Sequence, residues 1–158
     1  MYDRILVPTD GSPEVEDALE YAFDLARTHD ATLRTLYVVN AAGYSGLPME
    51  TALEGITDAL HGKGRSAVDR VEERAPDDVA VEREVREGSP SHVIVDEADP
   101  DECDLVVMAT HGRGGIGRLL LGSVTERVVR RASVPVLTVQ VDPEGAGDRS
   151  GEPRLAAE

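Results

Sequence analysis

Two kinds of apolar pattern alternate along the chain. The run Arg4-Ile5-Leu6-Val7-Pro8 is short, continuous and followed by turn formers, which predicts a buried strand. Thr9-Asp10-Gly11-Ser12-Pro13 then reads as a turn and helix start, with Ser12 as the N-cap and Pro13 as the first helical residue. Val15, Ala18, Leu19, Ala22, Phe23 and Ala26 recur at i, i+3, i+4, i+7, i+8 and i+11, one apolar stripe down an amphipathic helix that packs on a sheet. Leu33 to Val39 is a second strand and Asn40 to Leu47 a loop. Met49, Leu53, Ile56, Leu60, Ala67, Val68 and Val71 mark a long second helix, which Gly62 and Gly64 are expected to interrupt and bend.

Val79, Val81 and Val85 alternate with charged positions, the pattern of a third strand at a sheet edge. Ser89-Pro90 opens a third helix carrying Val93, Ile94 and Ala98, and Leu105 to Met108 is a fourth strand. Gly112 to Gly117 is a glycine-rich loop, Ser123 to Ala132 a fourth helix whose Arg127, Arg130 and Arg131 serve its dipole and solvent face, and Pro135 to Val141 a fifth strand. Strands alternating with helices imply right-handed crossovers and a parallel sheet with helices on both faces. The expected fold is therefore α/β, a single doubly wound, Rossmann-like sheet of five strands. Residues 1–141 make one domain, and from Asp142 to Glu158 Gly, Pro, Glu and Asp dominate, so a disordered acidic tail is expected there.

Charge narrows the function. Of 158 residues, 31 are acidic and 16 basic, a formal net charge of −15 with Lys63 the only lysine, which argues against bulk nucleic-acid binding. Such acidity suits a surface that stays hydrated in concentrated salt, and a halophile is inferred. One cysteine, Cys103, leaves no intrachain disulfide and reads as a small near-core residue. His29, His61 and His92 show no metal-ligand spacing. The start of the chain does not resemble a signal peptide and no stretch is long enough to span a bilayer, so a cytoplasmic location away from membranes is expected.

Ligands in doubly wound sheets bind beyond the carboxyl ends of the strands, where the winding reverses. The segments at that edge are Thr9-Asp10-Gly11, Val38 to Ala41, and Ala109 to Ser123. The last of these follows a strand, is rich in Gly and precedes a helix whose first turn holds Ser123 and Thr125, an arrangement suited to a phosphate chain, with Arg113 as a cationic complement. Residues 105–125 hold no acid where the chain average gives about four. Gly112-x-Gly114-x-x-Gly117 matches the dinucleotide fingerprint in form but follows the fourth strand rather than the first and runs through Leu119-Leu120-Leu121 to another Gly, and no Gly-Lys-Ser/Thr P-loop occurs. The competing reading is a tight surface loop followed by a capping box, Ser123-Val124-Thr125-Glu126, with Glu126 reaching back to the Ser123 N–H. Asp10, likewise, is also a common turn former.

Over almost all of positions 1–141 the chain resembles the universal stress protein family. The resemblance is carried by Arg4 to Ser12, Leu36-Tyr37-Val38-Val39, Glu87-Gly88 and the block from Met108 to Val139. It implies the sheet order 3-2-1-4-5. ATP-binding members carry Gly, two residues, Gly, nine residues, then Gly with Ser or Thr. Here Gly112, the nine residues Arg113 to Leu121 and Gly122-Ser123 fit, while Ala109 stands at the first Gly. By resemblance, Pro8 and Val38 wall the base, Asp10 bonds the ribose or adenine side, and Ala109, Gly112, Gly122, Ser123 and Val124 receive ribose and phosphates; Thr9 beside Asp10 and Thr125 in the first helical turn join the candidate set, as does His111, which reads either as a phosphate contact or as a loop histidine with no role. The implied ligand is ATP, or ADP or AMP, with Mg²⁺ or Mn²⁺ brought by the phosphates, and the implied assembly is a homodimer through Pro135–Val141. Three functions stay open on this reading: a nucleotide-binding regulatory protein, a slow ATP hydrolase or phosphotransferase, and a dimeric interaction protein that binds no nucleotide.

Overall fold

The computed structural model describes residues 1–40, 42, 50–110 and 121–140, and of residues 50–53 the backbone alone. The elements run β1 (Arg4–Pro8), α1 (Glu14–His29), β2 (Thr32–Val39), α2 (Glu50–Arg74), β3 (Val81–Glu87), α3 (Pro90–Glu97), β4 (Leu105–Thr110), α4 (Ser123–Arg131) and β5 (Val136–Gln140). All pairings are parallel, and the sheet order is β3-β2-β1-β4-β5, the doubly wound arrangement expected from the sequence. Among the described residues no helix is long and apolar enough to cross a membrane. The tail from 142 to 158 lies outside the described residues.

Central strands are buried on both faces, which is why β1 and β4 read as continuous apolar runs rather than alternating ones. On one face Ile5, Val7, Leu33, Leu105 and Val107 pack against the α1 stripe and Val71 of α2. On the other, Leu6, Leu36, Val106 and Met108 meet Ile94 of α3, Val128 of α4 and Cys103. Burial raises the Cys103 thiol to about 11, so it stays protonated and inert. The two ends of the sheet differ. Edge strand β3 is lined with charge, whereas β5 leaves Leu137 37% exposed.

Several local expectations are corrected. Ser12 is not a side-chain cap: its N–H is taken by Asp10 Oδ1 at 2.9 Å in an Asx turn, and α1 starts at Glu14 with Pro13 at the cap. Gly62 and Gly64 do not interrupt α2, which is continuous from 50 to 74. Gly64 is there for close approach, since a Cβ would stand 2.7 Å from Tyr37 Cδ1. β4 runs two residues past Met108, and Val79 precedes β3 as a buried anchor. Arg127 does not point only to solvent: its Nη1 donates to Ser91 Oγ at 2.9 Å and ties α4 to α3.

Where the short α3 leaves β2 and β3 uncovered, a charged network closes the surface. Arg34, 12% exposed on its side chain, contacts Glu84 at 2.8 Å, Glu97 at 2.9 Å and Glu102 at 3.3 Å, and Glu97 also meets Arg86 at 3.1 Å. Burial alone would raise the Glu84 carboxyl, but hydrogen bonds from Arg86 and Arg34 outweigh it and hold its pKa below the ordinary range. At the amino ends of β1 and β4 Asp104 Oδ2 accepts the backbone N–H groups of Arg4 and Asp3, both at 2.8 Å, and these bonds lower its pKa.

Candidate nucleotide site

The winding reverses between β1 and β4. β1 leads left through α1 to β2, and β3 leads back through α3 to β4, so the chain segments leaving β1 and β4 part at the carboxyl edge and open a crevice there. Pro8 ends β1 in register with Leu36. Thr9 is buried, donates its N–H to Leu36 O at 2.8 Å and accepts the Gly11 N–H on Oγ1 at 3.1 Å. This turn holds Asp10 at the surface. Gly11 has φ +75°, a conformation that costs a side-chain-bearing residue strain, so the turn Asp10 sits on specifies glycine next to it.

Val38 stands beside this turn on β2 and packs with the core beneath α3 and α4. Ala109 pairs with Val139 in β4. The only non-glycine positive φ among the described residues is at Asp30, so the backbone at 109 accepts an L residue without strain, and the Ala109 methyl packs into the core on the α1 face. The alanine that stands where the ATP-binding pattern has glycine is thus accommodated by the strand itself.

The Ala109 carbonyl accepts the hydroxyl of Thr125 at 3.3 Å, and Thr125 is 3% exposed. This bond fixes the first turn of α4 against the end of β4. Gly122 is the N-cap, with φ −58° and ψ 153°, and its carbonyl receives the Glu126 N–H at 2.8 Å. The expected capping box does not form: no side chain caps α4, and the Glu126 carboxylate turns along the helix to Arg130 at 2.9 Å. The backbone N–H groups of Ser123, Val124 and Thr125 have no intrahelical acceptors by construction, and among the described residues no side chain caps this positive end of the α4 dipole. Ser123 is exposed beside it, Val124 half-buried.

The structure therefore gathers Pro8, Thr9, Asp10, Val38, Ala109, Gly122, Ser123, Val124 and Thr125 at the carboxyl ends of three neighbouring strands. Two of their side-chain hydroxyls, Thr9 and Thr125, are engaged in holding the turns. His111, Gly112 and Arg113 lie outside the described residues. Sequence reasoning missed Arg70 of α2, whose Nη2 donates to Gly11 O at 3.3 Å across 59 positions of chain. With Thr9, Ser12 and Arg74 it lines a groove of about 100 Å³ between α1 and α2, and the Ser12 hydroxyl is buried there without a hydrogen-bond partner among the described residues. Among the described residues no group of three His, Cys, Asp or Glu is placed to hold a metal ion.

Comparison with known proteins agrees with this architecture. Residues 1–140 match the family model described as the universal stress protein family. A universal stress protein of Methanocaldococcus jannaschii is 39% identical over 141 residues, covering 89% of this chain and 83% of its own. The solved structure of the universal stress protein UspA from Lactobacillus plantarum superposes with a TM-score of 0.74 at 30% identity, over 87% of this chain and 97% of that one. A universal stress protein crystallised in complex with cAMP superposes with a TM-score of 0.62 at 27% identity, over 88% of this chain and 97% of that one.

Proposed function

Because the chain belongs to the universal stress protein family, we propose that it binds an adenine nucleotide, ATP foremost, across the carboxyl ends of β1 and β4, and works as a regulatory protein rather than by turnover. The observation that carries this reading is the start of α4. Thr125 anchors it to Ala109, Gly122 leaves its cap open, and Glu126 is held away by Arg130. A phosphate chain supplies the anion that this helix end lacks. The related structure holding cAMP supports an adenine nucleotide as the ligand class.

In this arrangement Pro8 and Val38 flank the base, Asp10 faces the ribose, and Gly112, Gly122, Ser123 and Val124 receive the phosphates. Mg²⁺ or Mn²⁺ enters on the phosphate oxygens. Occupancy acts by its differential affinity for two states of the protein. Calorimetric titration with ATP, ADP and AMP in concentrated KCl tests the reading and ranks the nucleotides. Phosphate release by purified protein above that of a binding-defective variant would replace the regulatory role with hydrolysis.

The same reading includes a homodimer through β5. Charge along β3 blocks that edge, while β5 offers unpaired backbone beside the exposed Leu137. In an isologous contact Leu137→Arg places two like charges near the two-fold axis. Sedimentation is expected to show the wild-type protein as a dimer and this variant as a monomer. An unchanged mass places the contact elsewhere.

A further inference from the structure

One peptide plane joins α2 to Asp10. The Gly11–Ser12 bond is trans, so its carbonyl and its N–H point in opposite directions from a single rigid plane. Asp10 Oδ1 accepts the N–H at 2.9 Å, and the carbonyl accepts from Arg70 Nη2 at 3.3 Å. Asp10 and Arg70 therefore hold the same plane from its two sides. Gly11, at φ +75°, has no Cβ to restrict rotation on its side of this plane, so an outside contact decides the orientation more than it would beside a larger residue.

The packing of α2 puts Arg70 in place. Ala67 and Val71 are buried, Val71 in the core with α1 and Ala67 beside Tyr37 and Val39, so the helix backbone is fixed on both sides of Arg70. A Cβ on Gly11 would stand 3.1 Å from Arg70 Nη2 and 3.3 Å from Ala67 Cβ, so the turn lies directly against this stretch of helix. Nearby arginines are engaged by acids: Arg74 pairs with Glu16 and Glu20, and Arg83 with Asp69 and Glu72. Arg70 has no such ion pair among the described residues, and its contact there is the backbone carbonyl of the turn.

We propose that Arg70 is a positioning residue of the nucleotide site: by holding the Gly11 carbonyl it fixes the Gly11–Ser12 plane, and through the Ser12 N–H it fixes the Asp10 carboxylate in the direction that meets the ribose. This rests on the nucleotide-binding reading above. Without the guanidinium the plane turns more freely, the bond to Asp10 Oδ1 is made for a smaller fraction of the time, and the ligand must reorder the turn on binding. Because the effect passes through Asp10 to the sugar, it is the same for every adenine nucleotide, whatever its number of phosphates.

The test is calorimetric titration of Arg70→Met with ATP, ADP and AMP, in the wild-type background and in Asp10→Ala, with thermal unfolding as the control for the fold. Met keeps an apolar stem of similar length against α2, so Tm is expected to stay close to that of the wild type. Arg70→Met is expected to weaken all three nucleotides by about fivefold in the wild-type background and by less than about twofold in Asp10→Ala. In the ligand-free protein the Ser12 amide proton, drawn downfield by its bond to Asp10, is expected to move upfield in Arg70→Met as it does in Asp10→Ala. Unchanged affinity in Arg70→Met, an equal loss in both backgrounds, or a loss that grows from AMP to ATP overturns the positioning role and leaves nucleotide binding intact. A Ser12 amide that does not move in Arg70→Met overturns it as well, even where Asp10→Ala binds too weakly to titrate. Failure of the wild-type protein to bind any of the three overturns the nucleotide reading itself.

Discussion

Gly122→Asp is expected to weaken ATP binding by about a hundredfold or more, close to 3 kcal/mol, while leaving the fold intact. The two effects separate because of where Gly122 sits. Its φ and ψ of −58° and 153° are open to any residue, and Asp is among the best N-caps, so the start of α4 is as stable or more stable with the carboxylate in place. The same carboxylate puts a fixed negative charge where phosphates are to bind. Two unit charges 4 Å apart repel by about 4 kcal/mol at an effective dielectric of 20, and ATP carries several. Calorimetry checks the binding and thermal unfolding checks the fold. Retained affinity would move the phosphates away from α4. Gly122→Ala, which adds no charge, should lose much less binding, and this contrast separates electrostatics from sterics.

Arg34→Ala is expected to cost about 3 kcal/mol of stability, lowering Tm by about 6 to 12 °C. Arg34 is the cation on which Glu84, Glu97 and Glu102 converge, and the side chain of Glu97 is only 9% exposed. Removing it leaves Glu97 desolvated beside the half-buried Glu84, two like charges with Arg86 the nearest remaining cation. The pH dependence carries a sign. In the native protein Glu84 is held below its usual range, so its contribution is present above an unfolded-state pKa of about 4.3 and is lost as pH falls through the lower folded value. In the variant Glu84 keeps the bond from Arg86 but loses the one from Arg34, so the part of this pH-dependent contribution that Arg34 supplies is gone. The stability gap between the two proteins should narrow as pH drops from neutral toward 4. A gap constant with pH would mean that the loss comes from packing of the Arg34 stem and not from its charge.

The order of elements was legible because burial on both faces leaves unbroken apolar strands while α1 shows a single stripe, and parallel connectivity follows from their alternation. The alternating charges of β3 marked it as an edge, and the edge it is. Cap chemistry was less legible because residue type does not say at which position the helix starts. Ser12 had the composition of a cap, but α1 begins at Glu14 behind Pro13, and the Ser12 N–H closes an Asx turn on Asp10. Ser123 and Glu126 had the spacing of a capping box, but Arg130 one turn on offered Glu126 an ion pair, and Thr125 fixed the turn through Ala109. Gly64 looked like a helix breaker because the Tyr37 ring it accommodates is 27 positions away. The same distance problem hid Arg70 beside Gly11 and the carboxylates around Arg34, contacts that only the folded sheet brings together.

For the site, the strand ends were readable once the family resemblance implied a 3-2-1-4-5 order, which places the reversal between β1 and β4 whatever the loops contain. The consequence of Ala109 was not readable, because it depends on whether position 109 needs a positive φ. It does not: the residue is paired strand, and its methyl fills the core on the α1 face.

Nucleotide binding at the crevice is the central claim, and it is tested most directly on protein purified without added ligand, denatured, and the released small molecules separated by chromatography. The account predicts stoichiometric adenine nucleotide from the wild-type protein and none from Gly122→Asp. Protein that releases no nucleotide and takes up none from millimolar ATP with Mg²⁺ would contradict it, and would leave the chain as an interaction protein built on a nucleotide-binding fold.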